Sequence, residues 1–437
     1  MKDSAFIDGH NENADQSQRA LSPMRLPQIA KKKIVIVSGF RIFPMNTGGH
    51  VHTGSIALAL GRMGHDVLIY SLAGRGGDYF RSGIRGLGQS KSFSTNRIGQ
   101  NVVEETHLGL SFGITQAIAR RLGLPRVLQH EMLHRGIIPG RLKTTLMSAD
   151  IIICDMPWCP PIPGAWSQKP CFLISHNLEY RLLEQGTARH RLFAKWMKSI
   201  EAEVPQQYDD VFACADEDLE FFRRHDMARR LSIPMIRCGV DPAAYTVPGG
   251  TRERTRRELG LTDDDRLLVF SASGHGPNVE AYEALQAFCR NEQEFLQRER
   301  IYILALGSVA PQPMQSGSLI ATGRVPEVAP YFAAADAGLN IVTRGSGANV
   351  KLFEYLATGL PVISTVFGIR GTELRPDEDF LPCDANDLKP ALLRYAHERS
   401  QNEWRLFAEQ VWKRHRSSCD INELVGTAVS HLPAFGA

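Results

Sequence analysis

One segment near the end of the chain combines a glycine-rich loop with two charged side chains at helical spacing. The loop consists of Gly345, Ser346, Gly347, Ala348 and Asn349. Lys351 and Glu354 follow on a predicted helix over about 348–358. Glycines let a phosphate approach backbone N–H groups closely, and a helix N-terminus favours negative charge. A lysine there could reach the same phosphates, and a glutamate one turn later could accept hydrogen bonds from ribose hydroxyls. The segment therefore predicts a site for a sugar nucleotide.

The predicted helix must hold both charged residues beside a buried stripe. Apolar side chains recur at helical spacing at Val350, Phe353, Ala357 and Leu360. Gly359 is a suitable C-terminal stop, and Pro361 cannot continue the helix. Lys351 and Glu354 then lie on one side of the helix, three residues apart. An ion pair between them, in an ordinary helix–strand unit, is the alternative interpretation.

Strand-like segments alternate with predicted helices along both halves of the chain. Apolar and β-branched runs predict strands over 34–38, 67–70, 150–155, 171–175, 209–215, 266–271, 301–307, 337–342 and 361–365. Their continuous apolarity is typical of strands covered on both faces, as in parallel sheets. The Gly- and Pro-rich stretch over 233–250 indicates an interdomain connection. The pattern predicts an α/β fold with two Rossmann-like domains facing across a cleft.

The expected domain boundaries follow from these two series. Residues 1–32 are polar and are expected to form a disordered tail. Residues 33–236 form the first domain and residues 237–410 the second. Residues 411–437 are expected to form a C-terminal helix that packs back toward the first domain.

Composition excludes several classes of protein. The 437 residues are 43% hydrophobic and 22% charged, which is ordinary for a globular protein with more than one core. A net charge of +3 does not indicate nucleic-acid binding. The eight cysteines are scattered without a Cys-x-x-Cys pair, so reduced cysteines in a cytoplasmic protein are expected. No apolar run reaches the length of about 18 residues that predicts a membrane span, and the N-terminus lacks a signal-peptide core.

The segment over 345–364, with those over 322–332 and 335–339, resembles the C-terminal signature of retaining glycosyltransferases of family 4, which have the GT-B fold. Weaker similarities lie at 175–180 and 239–241. The resemblance implies transfer of a sugar from a nucleotide-diphosphate donor of UDP or GDP type to a glycan or lipid-linked acceptor, without a metal or other cofactor. It implies an acceptor site on the first domain and a donor site on the second. Cell-envelope or exopolysaccharide synthesis, in the cytoplasm or at the inner face of the membrane, is expected from the breadth of the family.

The resemblance also assigns roles to individual residues. Glu354 takes the place of the glutamate that holds the ribose, whereas Ser346 stands where the family has a glutamate that contacts the transferred sugar. Because the loop over 271–278 lacks the family's arginine and lysine, Lys351 or Arg344 is expected to supply the charge that faces the phosphates. The donor-binding residues implied in this way are Gly48, Gly49, His275, Asn278, Arg344, Gly345, Ser346, Gly347, Ala348, Asn349 and Val350.

The implied catalytic set adds one residue from the first half. His176 follows a predicted strand, and ligands of α/β proteins bind at the carboxyl ends of strands. The resemblance implies a histidine at this position near the transferred sugar. With Lys351 and Glu354, it forms the predicted catalytic set.

Two further charged segments have simpler interpretations beside functional ones. Residues 111–143 contain a single acid, Glu131, and six basic residues interleaved with apolar ones: Arg120, Arg121, Arg126, Arg135, Arg141 and Lys143. This pattern fits contact with an anionic membrane surface or a solvated basic face. The run over 263–265, three aspartates, is expected to be a solvated turn and not a metal site.

Two other functional classes stay open from the sequence. One is a GT-B sugar-nucleotide epimerase, which needs no acceptor. The other is a non-catalytic sugar-nucleotide-binding relative, which Ser346 and the missing basic pair leave open.

Overall fold

The computed structural model describes residues 30–436 apart from 46–47, 73–92, 108–117, 119–120, 123–126, 162–167, 186–187, 238, 275, 345–349 and 371. Almost all of the predicted disordered tail therefore lies outside the described residues. Six predicted donor-binding residues lie outside them as well: His275, Gly345, Ser346, Gly347, Ala348 and Asn349.

The first sheet is built from the first half of the chain. Its strands are β1 (Lys33–Ser38), β2 (Asp66–Ser71), β3 (Phe93–Arg97), β4 (Val102–His107), β5 (Ile151–Asp155), β6 (Cys171–Ser175) and β7 (Asp210–Ala213). Among the described residues these seven strands lie in the order β3-β4-β2-β1-β5-β6-β7, and only β3 is antiparallel to its neighbour.

Helices cover both faces of this sheet. They are α1 (Gly48–Arg62), α2 (Val127–His134), α3 (Gly140–Met147), α4 (Glu179–Gln185), α5 (Ala188–Gln207) and α6 (Asp216–His225). Successive residues of a strand point to opposite faces, so Ile34 and Ile36 join one apolar core and Val35 and Val37 the other. This double burial explains why β1 is apolar at consecutive positions.

The second sheet repeats the topology of the first. Its strands are β8 (Arg266–Ser271), β9 (Ile301–Leu306), β10 (Met314–Ser316), β11 (Leu319–Gly323), β12 (Ala337–Asn340), β13 (Val362–Ser364) and β14 (Leu381–Pro382). In the described part of the chain their order is β10-β11-β9-β8-β12-β13-β14, with only β10 antiparallel to its neighbour. Counted within each domain, the two strand orders are the same. The two sheets confirm the predicted α/β fold with two Rossmann-like domains.

The remaining helices follow the first domain in the chain. They are α7 (Thr251–Glu258), α8 (Gly276–Asn291), α9 (Gln293–Arg298), α10 (Ala329–Ala334), α11 (Val350–Ala357), α12 (Lys389–His397), α13 (Gln401–Cys419) and α14 (Ile421–Ser430). Helix α14 packs on α1, and its apolar side chains join a core of the first domain. The predicted return of the C-terminal segment is therefore confirmed. The expected boundary at residue 411 lies inside α13, and the chain instead changes domain at Asp420, whose carboxylate caps α14 by accepting from the Asn422 backbone N–H.

The two crossings between the domains lie side by side. The backbone N–H of Val240 donates to the carbonyl oxygen of Cys419 (2.8 Å), and the N–H of Ile421 donates to the carbonyl oxygen of Val240 (2.9 Å). A Cβ added at Gly239 would lie 2.8 Å from the Cys419 oxygen and 3.0 Å from the Ile421 nitrogen. Glycine is therefore required at position 239 by the close approach of the second crossing.

Several strands escaped prediction from the sequence. Strand β4 has only two apolar residues, Val102 and Val103, followed by polar ones, and its Glu104 is buried because it accepts from the backbone N–H groups of Ile42 (2.6 Å) and Phe43 (3.1 Å). Strands β10 and β14 have three and two residues, too few for a periodic pattern.

Candidate functional site: two strand-end clusters

Helix α11 carries the two charged residues predicted to bind the donor. The residues that pack most deeply into the second domain are Leu352, Tyr355 and Leu356, each with at most 1% of its surface exposed. Phe353 instead packs beside the two crossings, against Val240 and Cys419. The helix is thus buried on two sides.

The predicted stripe on α11 was therefore partly wrong. Phe353 and Leu360 are buried as expected, whereas Ala357 is partly exposed. The backbone of Val350 begins the helix, but its side chain is outside the described part of the structure. The prediction was partly wrong because the apolar residues of α11 make two different contacts, one with the second domain's core and one with the two crossings.

Glu354 is held by a tyrosine from the interdomain connection. The Tyr245 hydroxyl donates to Oε1 of Glu354 (2.9 Å), and the Tyr245 ring stacks on Phe332 with centroids 5.8 Å apart. Tyr245 ends a 3-10 turn, Pro242–Tyr245, that Asp241 caps. Sequence reasoning missed Tyr245, although it lies four residues after the Gly-Val-Asp motif that drew attention to this segment.

Burial displaces the pKa values of both charged residues on α11. It raises the pKa of Glu354, against the opposing effects of the Tyr245 hydrogen bond and the Lys351 charge. It lowers the pKa of Lys351 to about 8, which the charge of Glu354 partly offsets. The alternative interpretation required an ion pair between the two, and none is present among the ion pairs of the described residues. Perturbed titratable groups of this kind are typical of ligand sites.

Two other predicted donor-binding residues contact neighbouring parts of the second domain. The Arg344 guanidinium pairs with Glu280 of α8, with Nε 2.6 Å from Oε2, and both side chains are exposed. The Asn278 amide donates to the carbonyl oxygen (3.2 Å) and hydroxyl (3.1 Å) of Ser273, closing the loop before α8. An exposed ion pair contributes little free energy, so Glu280 would not prevent Arg344 from binding an anion.

Strand ends of the second sheet are joined by polar contacts as well. The backbone N–H of Ser271, at the end of β8, donates to the Tyr355 hydroxyl (2.8 Å). The Asn340 amide, at the end of β12, donates to the Ser364 hydroxyl (3.0 Å) and the Gly368 carbonyl (3.1 Å). These contacts anchor α11 and the segment after β13 to the carboxyl edge of the sheet.

The equivalent edge of the first sheet contains a buried carboxylate. Asp155 ends β5, next to the end of β1, where the chain connections leave the sheet in opposite directions; ligands of open α/β sheets bind at such points. Asp155 accepts hydrogen bonds from Ser38 (2.7 Å) and Thr53 (2.6 Å), and Nε2 of His176 lies 2.8 Å from its Oδ1. Burial alone would raise the pKa of Asp155, but these hydrogen bonds and the His176 charge lower it overall.

His176 belongs to this buried polar cluster. Its Nδ1 lies 2.9 Å from Nδ1 of His52, and Nε2 of His52 lies 2.8 Å from the Ile236 carbonyl oxygen. A Cβ added at Gly49 would lie 3.8 Å from the His176 ring, so the first turn of α1 lies over the imidazole. The structure thus brings together Gly49 and His176, two of the predicted site residues; Gly48 begins the same helix.

Sequence reasoning did not identify the partners of His176. Asp155 was recognised only as the end of a predicted strand, and His52 and Thr53 were not singled out. A signal was available, because polar residues end both β1 and β5 and such ends meet at one edge of a parallel sheet.

The basic segment over 111–143 is partly neutralised. Arg135 pairs with Glu131 (2.7 Å) and Arg141 with Glu105 (2.8 Å). Arg120 and Arg126 lie outside the described residues. Exposed apolar side chains lie in the same part of the chain: Ile118, Leu122, Ile137 and Met147.

The part of the chain that the structure describes contains no group of three or more His, Cys, Asp or Glu side chains arranged to hold a metal ion. None of its helices combines the length and apolarity needed to cross a membrane. Asp265, the last residue of the aspartate run, caps a turn by accepting from the Thr262 backbone N–H (2.7 Å) and pairs with Arg300.

Part of the sequence matches a known protein family, and the fold matches solved structures. Residues 269–397, which include α11, match the family of glycosyl transferases group 1. Anabaena HepE in complex with UDP and glucose is 13% identical, with a TM-score of 0.56 over 92% of this chain and 100% of that chain. The chain has the GT-B fold.

Two other solved structures are also similar over most of this chain. Sucrose-phosphate synthase from Thermosynechococcus elongatus is 15% identical, with a TM-score of 0.58 over 92% of this chain and 98% of that chain. The UDP-forming α,α-trehalose-phosphate synthase from Burkholderia vietnamiensis is 14% identical, with a TM-score of 0.57 over 91% of this chain and 99% of that chain. No curated protein sequence matches the chain significantly. The family match over 269–397 supports the predicted glycosyltransferase activity.

Proposed function

We propose that this protein is a retaining glycosyltransferase that moves a sugar from a nucleotide-diphosphate donor to a glycan or lipid-linked acceptor. The observation that carries the proposal is the pair Lys351 and Glu354 on α11. Burial disfavours the charged form of each, and a bound donor would favour that form by facing Lys351 with phosphate and Glu354 with ribose hydroxyls. Both lie inside the region that matches glycosyl transferases group 1.

A uridine diphosphate sugar is the first donor to consider. Solved structures of Anabaena HepE contain UDP or UDP-glucose, and the trehalose-phosphate synthase relative is UDP-forming. These ligands belong to the related proteins, and a GDP-sugar is the alternative donor for this chain.

The proposed chemistry depends on charge stabilisation of the leaving diphosphate. Lys351 would face the phosphates, together with N–H groups of the glycine loop and of the α11 N-terminus. Glu354, oriented by Tyr245, would accept from the ribose hydroxyls. Closure of the cleft would exclude water from the activated sugar. Retention would follow from front-face displacement, with the leaving phosphate assisting deprotonation of the acceptor.

A donor panel with product analysis tests the proposal. UDP-, GDP- and ADP-sugars are incubated with and without candidate acceptors, and nucleotide release and the anomeric configuration of the product are measured by NMR. Acceptor-dependent release with retained configuration is expected, and chelation of metal ions should leave it unchanged. Inversion would contradict the retaining assignment, conversion of the donor without acceptor would indicate an epimerase, and binding without turnover would indicate a non-catalytic relative.

The proposed setting is envelope or exopolysaccharide synthesis in the cytoplasm, at the inner face of the membrane. The exposed basic and apolar residues of the first domain, such as Arg121, Leu122 and Lys143, favour contact with anionic lipid. Sedimentation with anionic and with neutral vesicles at low salt tests this part separately. Binding to anionic vesicles alone is expected, and no binding to either would remove the membrane contact.

A further inference from the structure

Two histidines of the first domain contact each other and two protein acceptors. The Nδ1 atoms of His52 and His176 face one another at 2.9 Å. The outer nitrogens face protein acceptors, with His52 Nε2 2.8 Å from the carbonyl oxygen of Ile236 and His176 Nε2 2.8 Å from Oδ1 of Asp155. All four ring nitrogens therefore have partners inside this domain.

The partners determine how many protons the pair holds. A carbonyl oxygen and an ionised carboxylate can only accept, so both Nε2 atoms must carry protons. The Thr53 hydroxyl, 3.2 Å from His176 Nε2, does not change this, because its single proton is directed to Asp155 at 2.6 Å. The two Nδ1 atoms need one proton between them. Three protons on two imidazoles give the pair one positive charge.

The environment places this charge on His176. Asp155 contacts His176 directly, whereas His52 is fully enclosed, and burial with the His176 charge lowers the pKa of His52 to about 3. Among the described residues, Asp218 of α6 is a second carboxyl group that interacts electrostatically with His176; it accepts from Ser175 (3.4 Å), and burial raises its pKa to about 6. His52 is thus neutral, with its Nδ1 lone pair directed at His176.

We propose that His52 is a positioning residue that keeps His176 doubly protonated, with both N–H groups directed into the protein. His176 then lies beneath the first turn of α1 with its protonation and orientation fixed next to the transferred sugar, and it cannot act as a proton acceptor. This role rests on the proposed transfer reaction, whereas the protonation state of the pair does not.

NMR of the full chain labelled with 15N-histidine tests the protonation state. At about pH 8 a free histidine is neutral, since its pKa is about 6.5. The expected result for this pair is three protonated ring nitrogens, two of them on His176, with signals assigned through His52→Gln and His176→Gln. Two neutral rings at that pH would overturn the proposal.

Matched variants test the positioning role. His52→Gln keeps an oxygen to accept from His176 and an amide to donate to Ile236, whereas His52→Leu keeps neither. We expect His52→Leu to lower kcat roughly tenfold, less than removal of a direct donor, and to release the His176 Nδ1 proton at about pH 8. His52→Gln should restore both, and His134→Gln, which changes an exposed histidine of the same domain, should alter neither.

The outcomes separate this inference from the proposed function. Equal kcat in His52→Leu and wild type would overturn the positioning role, as would equal loss in His52→Gln and His52→Leu. If His52→Leu does not fold, wild type and His52→Gln still decide the proton count by NMR. A wild-type protein that turns over no donor would contradict the glycosyltransferase, while the NMR result would still stand or fall by itself.

Discussion

The two sheets share one strand order, but their carboxyl edges treat charge differently. In the first domain, Asp155 is ionised and its charge is matched by hydrogen bonds from Ser38, Thr53 and His176. In the second domain, burial shifts the pKa values of Lys351 and Glu354 without an ion pair between them. The protein itself compensates the charge of Asp155 at the first edge, whereas the charged groups at the second edge would gain from a ligand. The same topology thus supports a preformed polar cluster in one domain and a site that needs a ligand's charge in the other.

The largest effect should come from Lys351→Met, which removes the charge but keeps much of the side-chain volume. Donor turnover should fall about 100-fold or more, as when a group that stabilises transition-state charge is lost. Stability to urea should stay the same or rise, because burial already disfavours the charged lysine. Loss of stability with normal turnover would show that Lys351 stabilises the fold and does not bind the donor.

Unlike Lys351→Met, Asp155→Asn should destabilise the free protein. Breaking a buried, hydrogen-bonded charge pair costs about 3 kcal/mol. Because the pKa of Asp155 is lowered in the folded state, this stabilisation is present above its unfolded pKa and is lost as pH falls through the folded pKa. Urea denaturation at neutral and acidic pH should show a difference from wild type that shrinks in acid.

The exposed Asp264→Asn serves as the control for that measurement. It should leave stability unchanged. An Asp155→Asn protein as stable as this control would mean that the charge of Asp155 does not stabilise the first domain.

Gly239→Ala should weaken the junction between the domains. The new Cβ would lie within 3.0 Å of two backbone atoms of the second crossing, and overpacking of this kind costs about 2 kcal/mol. Gly249→Ala is the matched control, because a Cβ there meets no atom within 4 Å. Equal melting temperatures for the two variants would show that the crossings are not tightly packed.

The affinity for a nucleoside diphosphate should fall with rising pH. Lys351 loses its positive charge as pH rises through its pKa of about 8, so affinity should drop about tenfold between roughly pH 7 and 9. Lys351→Arg, which stays charged, should bind with little change over this range. A parallel fall in both proteins would assign the pH dependence to another group.

Tyr245→Phe should have the smallest effect. It removes the hydroxyl that donates to Glu354 but keeps the ring that stacks on Phe332. Loss of one such hydrogen bond corresponds to about 1 kcal/mol, or a donor affinity about fivefold lower. Tyr331→Phe, on α10, is the control, and calorimetry with the best nucleotide distinguishes the two.

The sequence predicted features that local patterns encode. The apolar strands, the stop of α11 at Gly359 and the two alternating series were all visible in the order of residues. The partners of His176 were not, because His52, Asp155 and Ile236 meet only when distant strands and the interdomain connection come together. The contact between Tyr245 and Glu354 was not predicted for the same reason. Strand β4 was not predicted because Glu104 is a charged residue whose burial depends on contacts 61 and 62 residues away.

Calorimetry with UDP, GDP and ADP is the most direct test of whether α11 holds the donor diphosphate. One of the three should bind wild type at about micromolar Kd, as for an ordinary substrate. Lys351→Met and Glu354→Ala should each weaken that binding at least about tenfold, as expected for loss of a charged hydrogen bond, whereas Asp264→Asn should not. Folded wild-type protein that binds none of the three, or variants that bind as tightly as wild type, would contradict this role of α11.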